Sequence, residues 1–370
     1  MTENEQHQQL TVGVVAETRP GEHRVALVPK LVGRLVQHGL RVVVEPGAGA
    51  GAHLSDDAYL QAGAELGDAW GAPIVAKVAP PSPDEVAKLG RETVLVGFLD
   101  PRGNPDGLAT LDQAGIRAFA MEAVPRISRA QAMDALSSQA SIAGYRAVLR
   151  AAEKLPRFFP MLTTAAGTVP PAKVLVLGAG VAGLQALATA KRLGAQTTGY
   201  DVRPEVGEQV KSLGAKFLDL GIEAVGEGGY ARELTAEERE EQQRRLTEAI
   251  TKFDVVITTA LVPGRKAPTL VTADAVKGMP AGSVVVDLAG ESGGNCELTR
   301  PGEDVVEHDV TITAPLNLPA EMPSHASELY ARNVTELLEL LVDKEGRLKL
   351  DLSDEIIAGA WVAGREGSAS

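Results

Sequence analysis

Residues 173–201 read KVLVLGAGVAGLQALATAKRLGAQTTGYD, and the fold turns on them. Lys173–Leu177 is a short aliphatic run of strand character, Gly178-Ala-Gly-Val-Ala-Gly183 is a GxGxxG turn, and LQALATAKRL continues as a helix. Gln196–Tyr200 is then a second strand that ends on Asp201. Strand, glycine turn, helix and acid in that order form the opening of a dinucleotide-binding βαβ unit. Gly178 allows the tight turn, Gly180 lets backbone approach a pyrophosphate, Gly183 packs helix on strand, and the helix N-terminus faces the anion. Asp201 follows Gly178 by 23 residues, where a carboxylate accepts from both hydroxyls of an adenosine ribose. That points to NAD over NADP, because a 2′-phosphate would meet a like charge. Arg203 is the counter-signal, since an arginine near that position is also how such sites accept a 2′-phosphate.

The same stretch contains the longest uncharged run of the chain, the 17 residues Val174–Ala190. That length touches the lower limit of a membrane span of about 17–25 residues. Gly178, Gly180 and Gly183 near its middle identify it instead as strand, turn and helix.

Working outward, β-branched runs alternate with Ala/Leu-rich helical stretches, the pattern of parallel sheets covered by crossover helices. Upstream, the expected elements are strand Val12–Ala16, a helix from Pro29 to about His38 stopped by Gly39, and strands Arg41–Glu45, Ile74–Val78, Val94–Leu99 and Arg117–Ala120. A long linking helix is expected through Ala135, Leu136, Ile142, Tyr145, Val148 and Leu149, ended before Pro156. Downstream of the fingerprint, strands are expected at Ala215–Leu218, Asp254–Thr259, Ser283–Leu288 and Val310–Thr313. Gly221–Arg245 breaks this rhythm, glycine-rich at first and densely charged afterwards, as a mobile surface loop running into an exposed helix does.

The chain has 370 residues, enough for two or three domains with full cores. Lys and Arg number 36 against 49 Asp and Glu, a net charge of −13, with no basic run to follow a phosphate backbone; nucleic acid is not an expected partner. A single cysteine, Cys296, makes no internal disulfide, and MTENEQHQQL has no signal-peptide pattern, so a reducing, cytoplasmic setting is expected. Cys296 reads as a small apolar filler. The six histidines fall in no metal-binding spacing and GxSxG does not occur, so neither a metal nor a serine nucleophile is expected.

Arg126–Ala143 (RISRAQAMDALSSQASIA), with TAAGTVPPAKVLVLGAGVAGLQA, YDVR, GGYARE, TTALVPGRKAP and DLAGESGGNCE, closely resembles the NAD(H)-binding alpha subunit of proton-translocating NAD(P) transhydrogenase. AETRPGEHRVALVP and EPGAGAGAHLSDDAY are also similar to alanine dehydrogenase, which shares the two-domain fold. In alanine dehydrogenases a lysine in a KVKEP-like segment and a histidine in an FLH-like segment hold and protonate the substrate. Here those positions read Ala79 and Asp100, so the amino-acid dehydrogenase reading becomes the alternative. Arg24 matches that family's carboxylate-binding arginine; without its partners it reads as a structural ion pair.

The transhydrogenase resemblance implies direct hydride transfer between NADH on this chain and NADP+ on a partner subunit, with proton translocation in a separate membrane component. No protein acid or base is needed, because the two nicotinamide rings do the chemistry and the protein orients them. By motif match, Arg126, Gln131 and Asp134 would position the nicotinamide and its ribose, with Ile127, Ser128 and Ser137 beside them. Read without the family, Ser128-Arg-Ala-Gln131 also fits a helix capping box. Val181, Asp201, Val202 and Arg203 match contacts to the adenosine half. Leu261 matches an apolar contact, and fits ordinary core packing equally well. Gly229 and Tyr230 match a mobile loop that closes over the nucleotide, with Gln242 as a further contact; a flexible hairpin and a helix capped at Thr235–Glu238 is the plainer alternative.

The resulting expectation is an α/β protein of two doubly wound Rossmann-like domains with parallel sheets, linked by a long helix, with NAD(H) in the interdomain cleft. The domains are residues 1–137 plus 318–370, and residues 138–317. The resemblance further implies a homodimer, peripheral on the inner face of the membrane through membrane-spanning and NADP(H)-binding partner subunits.

Overall fold

The computed structural model describes residues 9–222, 234–261, 265–343 and 345–365. It divides into two compact units, Met1–Gln139 with Pro319–Ser370, and Ala140–Leu318.

The first unit is built on strands β1 (Thr11–Val14), β2 (Arg41–Val44), β3 (Glu65–Leu66), β4 (Ile74–Ala76), β5 (Val94–Gly97) and β6 (Arg117–Ala120). They pair in the order 3-2-1-4-5-6, all parallel, and the C-terminal strand Trp361–Ala363 adds antiparallel to β6. β4 and β5 are buried along their whole length, which is why they read as unbroken apolar runs instead of alternating ones. Helix Pro29–Gln37 starts on a proline, whose missing N–H costs nothing there. Helix Pro323–Leu341, from the far end of the chain, returns to bury Tyr330, Val334, Leu337, Leu338 and Leu341 in the same core.

After β6 the chain makes a turn at Met121–Ala123, a second six-residue turn at Ser128–Met133, and then the long helix Ala135–Lys154. An exposed hairpin follows, β7 (Leu162–Thr164) against β8 (Gly167–Val169).

The second unit has strands β9 (Lys173–Leu177), β10 (Gln196–Tyr200), β11 (Lys216–Phe217), β12 (Val255–Thr258), β13 (Val284–Asp287), β14 (Asp304–Glu307) and β15 (Val310–Thr313). Their order is 11-10-9-12-13-15-14, parallel except for β14 at the edge. Counted from β9 this repeats the 3-2-1-4-5-6 order of the first unit, with the reversal of direction between β9 and β12.

Most expected strands are present but end one or two residues early, because their last residues already leave the ladder. The edge strands β3, β14 and Trp361–Ala363 and the hairpin were not expected: β14 is mostly exposed, and its DVVE carries no inward face to read.

Candidate functional site

In the second unit the fingerprint adopts the geometry its glycines require. Gly178 has φ +94°, and a Cβ on Gly183 would stand 1.9 Å from the Gly178 carbonyl oxygen, so only glycine lets the helix Val181–Arg192 pack this closely. A Cβ on Gly180 would meet only the Arg203 guanidinium, at 4.0 Å. The helix that starts there has no side-chain cap, so its first N–H groups are left for a ligand.

The turn is held by the end of β12. Thr259 Oγ1 donates to the Gly178 carbonyl at 2.7 Å and Thr259 N to Leu177 O at 2.9 Å. Behind it lies a knot of buried polar side chains from the DLAGESGGNCE segment. Fully buried Asn295 accepts from Ala260 N (3.0 Å) and donates to the carbonyls of Ala260 (2.9 Å) and Pro268 (2.8 Å). Fully buried Asp287 accepts from Thr258 Oγ1, Thr299 Oγ1 and the N–H groups of Ala289, Asn295 and Cys296.

Asp201 sits at the end of β10, buried. Its Oδ2 accepts from Ala179 N (2.9 Å) and Arg203 Nη2 (2.8 Å), and its Oδ1 from Arg203 N and Nε (both 2.9 Å). Burial pushes the carboxyl up, but the Arg203 guanidinium and these N–H groups outweigh it and hold the carboxyl below its usual range. Asp201 and Arg203 therefore form one neutralised pair, not two rival signals. Val202 is half-buried beside them.

Val181 and Leu261 are 42% and 49% exposed. Core packing, one of the two readings of Leu261, is thereby overturned. Buried Gln242 donates to the Tyr200 hydroxyl at 2.8 Å, so its side chain braces the residue just before Asp201. Thr235 and Glu238 form the reciprocal capping box expected of that helix. Gly229 and Tyr230 lie outside the described residues.

In the first unit, a concavity of about 270 Å³ follows β6, lined among others by Glu122, Arg126, Ile127, Ser128, Gln131 and Asp134. The capping box at Ser128–Gln131 does not form: the cap position of that turn is Ile127, without a side-chain cap. Asp134 instead caps the long helix, accepting from Ser137 N (2.9 Å) and Ser137 Oγ (2.6 Å). Arg126, Ser128 and Gln131 are exposed into this concavity, whereas Asp134 and Ser137 are half-buried.

Residues remote in sequence hold this segment. Asn333 donates to Ala132 O (2.7 Å) and accepts from Ser138 Oγ (2.8 Å), and Arg129 pairs bidentately with Asp354 at 2.7 and 2.8 Å. Arg24 is the buried ion pair expected of it, bidentate to Glu22, and it also donates to Gln139 Oε1 at 2.9 Å. Lys77, 1% exposed, is locked between Glu17 and Glu85, each at 3.2 Å.

Cys296 is buried as an apolar filler, and burial pushes its thiol up to about 11. Among the described residues, no helix is long and apolar enough to cross a membrane.

Two family models match, the N-terminal domain of alanine dehydrogenase/PNT over residues 13–143 and its C-terminal domain over residues 147–368. An NAD(P) transhydrogenase alpha-subunit chain of Rhodospirillum rubrum is 46% identical, with 97% of each chain covered. The alanine dehydrogenase of Bacillus subtilis is 31% identical over 92% of this chain and 87% of that one. A solved transhydrogenase structure from Sinorhizobium meliloti superposes with a TM-score of 0.87 at 45% identity, covering 95% of this chain and 98% of that one. A solved L-alanine dehydrogenase gives 0.80 at 28%, covering 95% and 94%. With identity higher to the transhydrogenases in both sequence and structure, the chain belongs to the alanine dehydrogenase/PNT family and stands nearer the transhydrogenase alpha subunits within it.

Proposed function

We propose that this chain is the NAD(H)-binding component of a proton-translocating NAD(P) transhydrogenase. The observation that carries the reading is the fingerprint turn of the second unit: an uncapped helix N-terminus, an open face at Gly180, and Asp201 at the adjacent strand end. The residues fit a dinucleotide. The helix N–H groups take the pyrophosphate, Asp201 takes the ribose diol, and Val181, Val202 and Leu261 offer apolar surface to the adenine. Because Arg203 is neutralised by Asp201, the pair offers no surplus positive charge to a 2′-phosphate, which favours NAD.

In the first unit Arg126, Gln131 and Asp134, with Ile127, Ser128 and Ser137, orient the nicotinamide end. Bound NADH supplies the hydride, which passes to NADP+ on a partner subunit. The chain's own task is orientation and exclusion of water, for which no acid or base is required. Gln242 acts on the site through Tyr200. Proton translocation belongs to membrane-spanning partner subunits, to which this chain attaches from the cytoplasmic side.

A second copy of the chain is a further proposed partner. The hairpin β7–β8 is exposed on both strands, with Phe158 55% and Met161 62% exposed at its base. An isolated two-stranded hairpin is marginal in water and needs a surface to pack against.

Amino-acid dehydrogenase chemistry is the second reading. It lacks its acid and base: Ala79 is a buried alanine whose N–H goes to Glu17, and Asp100 Oδ1 accepts from Gly103 N in a tight turn. The test is to mix the purified chain with the NADP-binding domain of a transhydrogenase, without membrane, and follow hydride passing from NADH to an NADP+ analogue. Transfer that requires both proteins supports the proposal. Oxidation of NADH by a 2-oxo acid and ammonia with no partner overturns it in favour of the second reading.

A further inference from the structure

Glu122 lines the same concavity as Arg126, Gln131 and Asp134, yet orienting the nicotinamide end does not call on it. It lies in the turn Met121–Ala123 that follows β6. Its Oε1 accepts from the backbone N–H groups of Leu99, at 2.8 Å, and Asp100, so the end of β5 fixes the carboxyl group. Its Oε2 is buried and has no hydrogen-bond partner. A buried carboxyl oxygen left unpaired is costly, and least so as an O–H ready to donate.

Burial raises the pKa of this carboxyl, the backbone N–H groups of Glu122 itself, Asp100 and Leu99 oppose that, and the nearby Asp100 charge adds to the rise; the net shift is upward. The surrounding charged groups come from several elements. Asp100 is at the end of β5, and Arg126 and Asp134 share the concavity. Glu355 opens the helix Glu355–Ala360 that packs on the turn. Tyr330, whose hydroxyl donates to Lys77 O, is raised by burial and lies in the fields of Glu122, Glu17, Arg24 and Glu22.

The oxidised nicotinamide ring carries a positive charge and the reduced ring carries none. A carboxyl group nearby separates the two by Coulomb's law only when it is ionised. We propose that Glu122 sets the preference of this concavity between reduced and oxidised nicotinamide: protonated, it carries no charge and leaves the neutral ring favoured; ionised, it favours the cationic ring. This rests on the nucleotide reading above and adds a specificity-determining residue to it. By linkage, Glu122 loses its proton to solvent as the ring beside it becomes cationic, and on this chain only that O–H bond breaks.

An opposite charge within about 4–6 Å lowers a carboxyl pKa by about 1–3 units. The ratio of the NAD+ and NADH dissociation constants therefore falls at least about tenfold between the protonated and ionised plateaus. The test titrates each nucleotide into the full chain between about pH 5 and pH 9, for wild type and Glu122→Gln. Expected is a ratio that falls with pH in wild type and stays flat, near its low-pH value, in the variant. Calorimetry of wild type in two buffers of different ionisation enthalpy reads the same effect without a variant, as a proton released with NAD+ and none with NADH. A flat wild-type ratio, equal proton release with both nucleotides, or an unchanged slope in Glu122→Gln overturns this inference alone. Failure of wild type to bind either nucleotide overturns the nucleotide reading itself, and the inference with it.

Discussion

Gly144, in the interior of the helix Ala135–Lys154, sets two rules against each other. Helix propensity alone makes Gly144→Ala stabilising by about 1 kcal/mol. The structure gives the opposite sign. A Cβ at 144 would stand 2.1 Å from the carbonyl oxygen of Ala182, 2.8 Å from its carbon and 3.0 Å from its Cα. These are backbone atoms that no rotamer change removes, so the helix and the first turn of Val181–Arg192 must separate. Overpacking of this kind costs about 1–3 kcal/mol, and the backbone contact puts it at the upper end. About 3 kcal/mol lost against about 1 gained leaves the variant less stable by about 2 kcal/mol. Because Ala182 stands in the fingerprint turn, NADH should also bind more weakly. The matched control is Gly33→Ala in helix Pro29–Gln37, where the nearest atom to a new Cβ is Ala62 O at an ordinary 3.7 Å, so propensity should win and stability should rise. Urea unfolding followed by circular dichroism, with a fluorescence titration of NADH, checks both. If Gly144→Ala raised the unfolding midpoint as Gly33→Ala does, the close-approach argument would be wrong.

Asn333→Ala removes the donor to Ala132 O and the acceptor for Ser138, at about 1 kcal/mol per hydrogen bond. It should slow hydride transfer about tenfold by loosening the segment that carries Gln131, while the NADH dissociation constant moves little; equal loss of both would make Asn333 merely structural. Lys77→Met strands the buried carboxylates of Glu17 and Glu85 and should cost about 3–5 kcal/mol in urea unfolding, a cost that the further change of both to Gln relieves. Asp201, held below its usual range despite burial, contributes stability that is fully present above the unfolded-state value of about 3.9 and is lost as pH falls through the lower folded-state value. Arg203→Ala raises the folded value, so acid unfolding of that variant should begin at higher pH than in wild type, and coincident acid transitions would refute the assignment.

What the sequence made legible was local. Gly178, Gly180, Gly183 and Asp201 announce themselves because strand, turn, helix and strand end are consecutive, and the backbone conformation at Gly178 admits few other residues. Arg24 could be read as an ion pair because its partner Glu22 is two residues away. The segment Arg126–Gln139 stood out by resemblance; the capping box that Ser128 and Gln131 offered as the alternative reading does not form, and the functioning cap is Asp134 with Ser137 at the third helical position, a pattern present in MDALS. Asn333 and Asp354 carried no signal, since each matters through partners brought near only by folding; Asp287 and Asn295 fall in DLAGESGGNCE, which stood out by resemblance without showing what they bind. Gly144 was equally silent: a glycine in a helix looks like a weakness until the neighbouring backbone is in place. Glu122 gave no motif because its importance lies in one oxygen left unpaired.

The two sheets share one strand order, so each has a switch point where a ligand crevice is expected, and the residues explain why they differ. In the first unit β1 runs on through Ala16 into Glu17 with no glycine turn. The Glu17 carboxylate then accepts from Val78 N at 2.6 Å and Ala79 N at 3.2 Å, the backbone donors just past β4, and pairs with Lys77. An anion does occupy that switch point, and it is the protein's own. Glu85 completes the arrangement, so two carboxylates take two of the three N–H donors of a lysine that is 1% exposed. In the second unit the equivalent strand β9 runs into Gly178-Ala-Gly180, no side chain fills the turn, and the helix N-terminus is left uncapped. The first unit's concavity lies instead beyond β6, where Glu122, Arg126 and Gln131 stand. This arrangement agrees with the proposed role of orienting a nucleotide for hydride exchange: at the first switch point the one ammonium, Lys77, is buried between two carboxylates, and the positions that would carry the acid and base of reductive amination read Ala79 and Asp100.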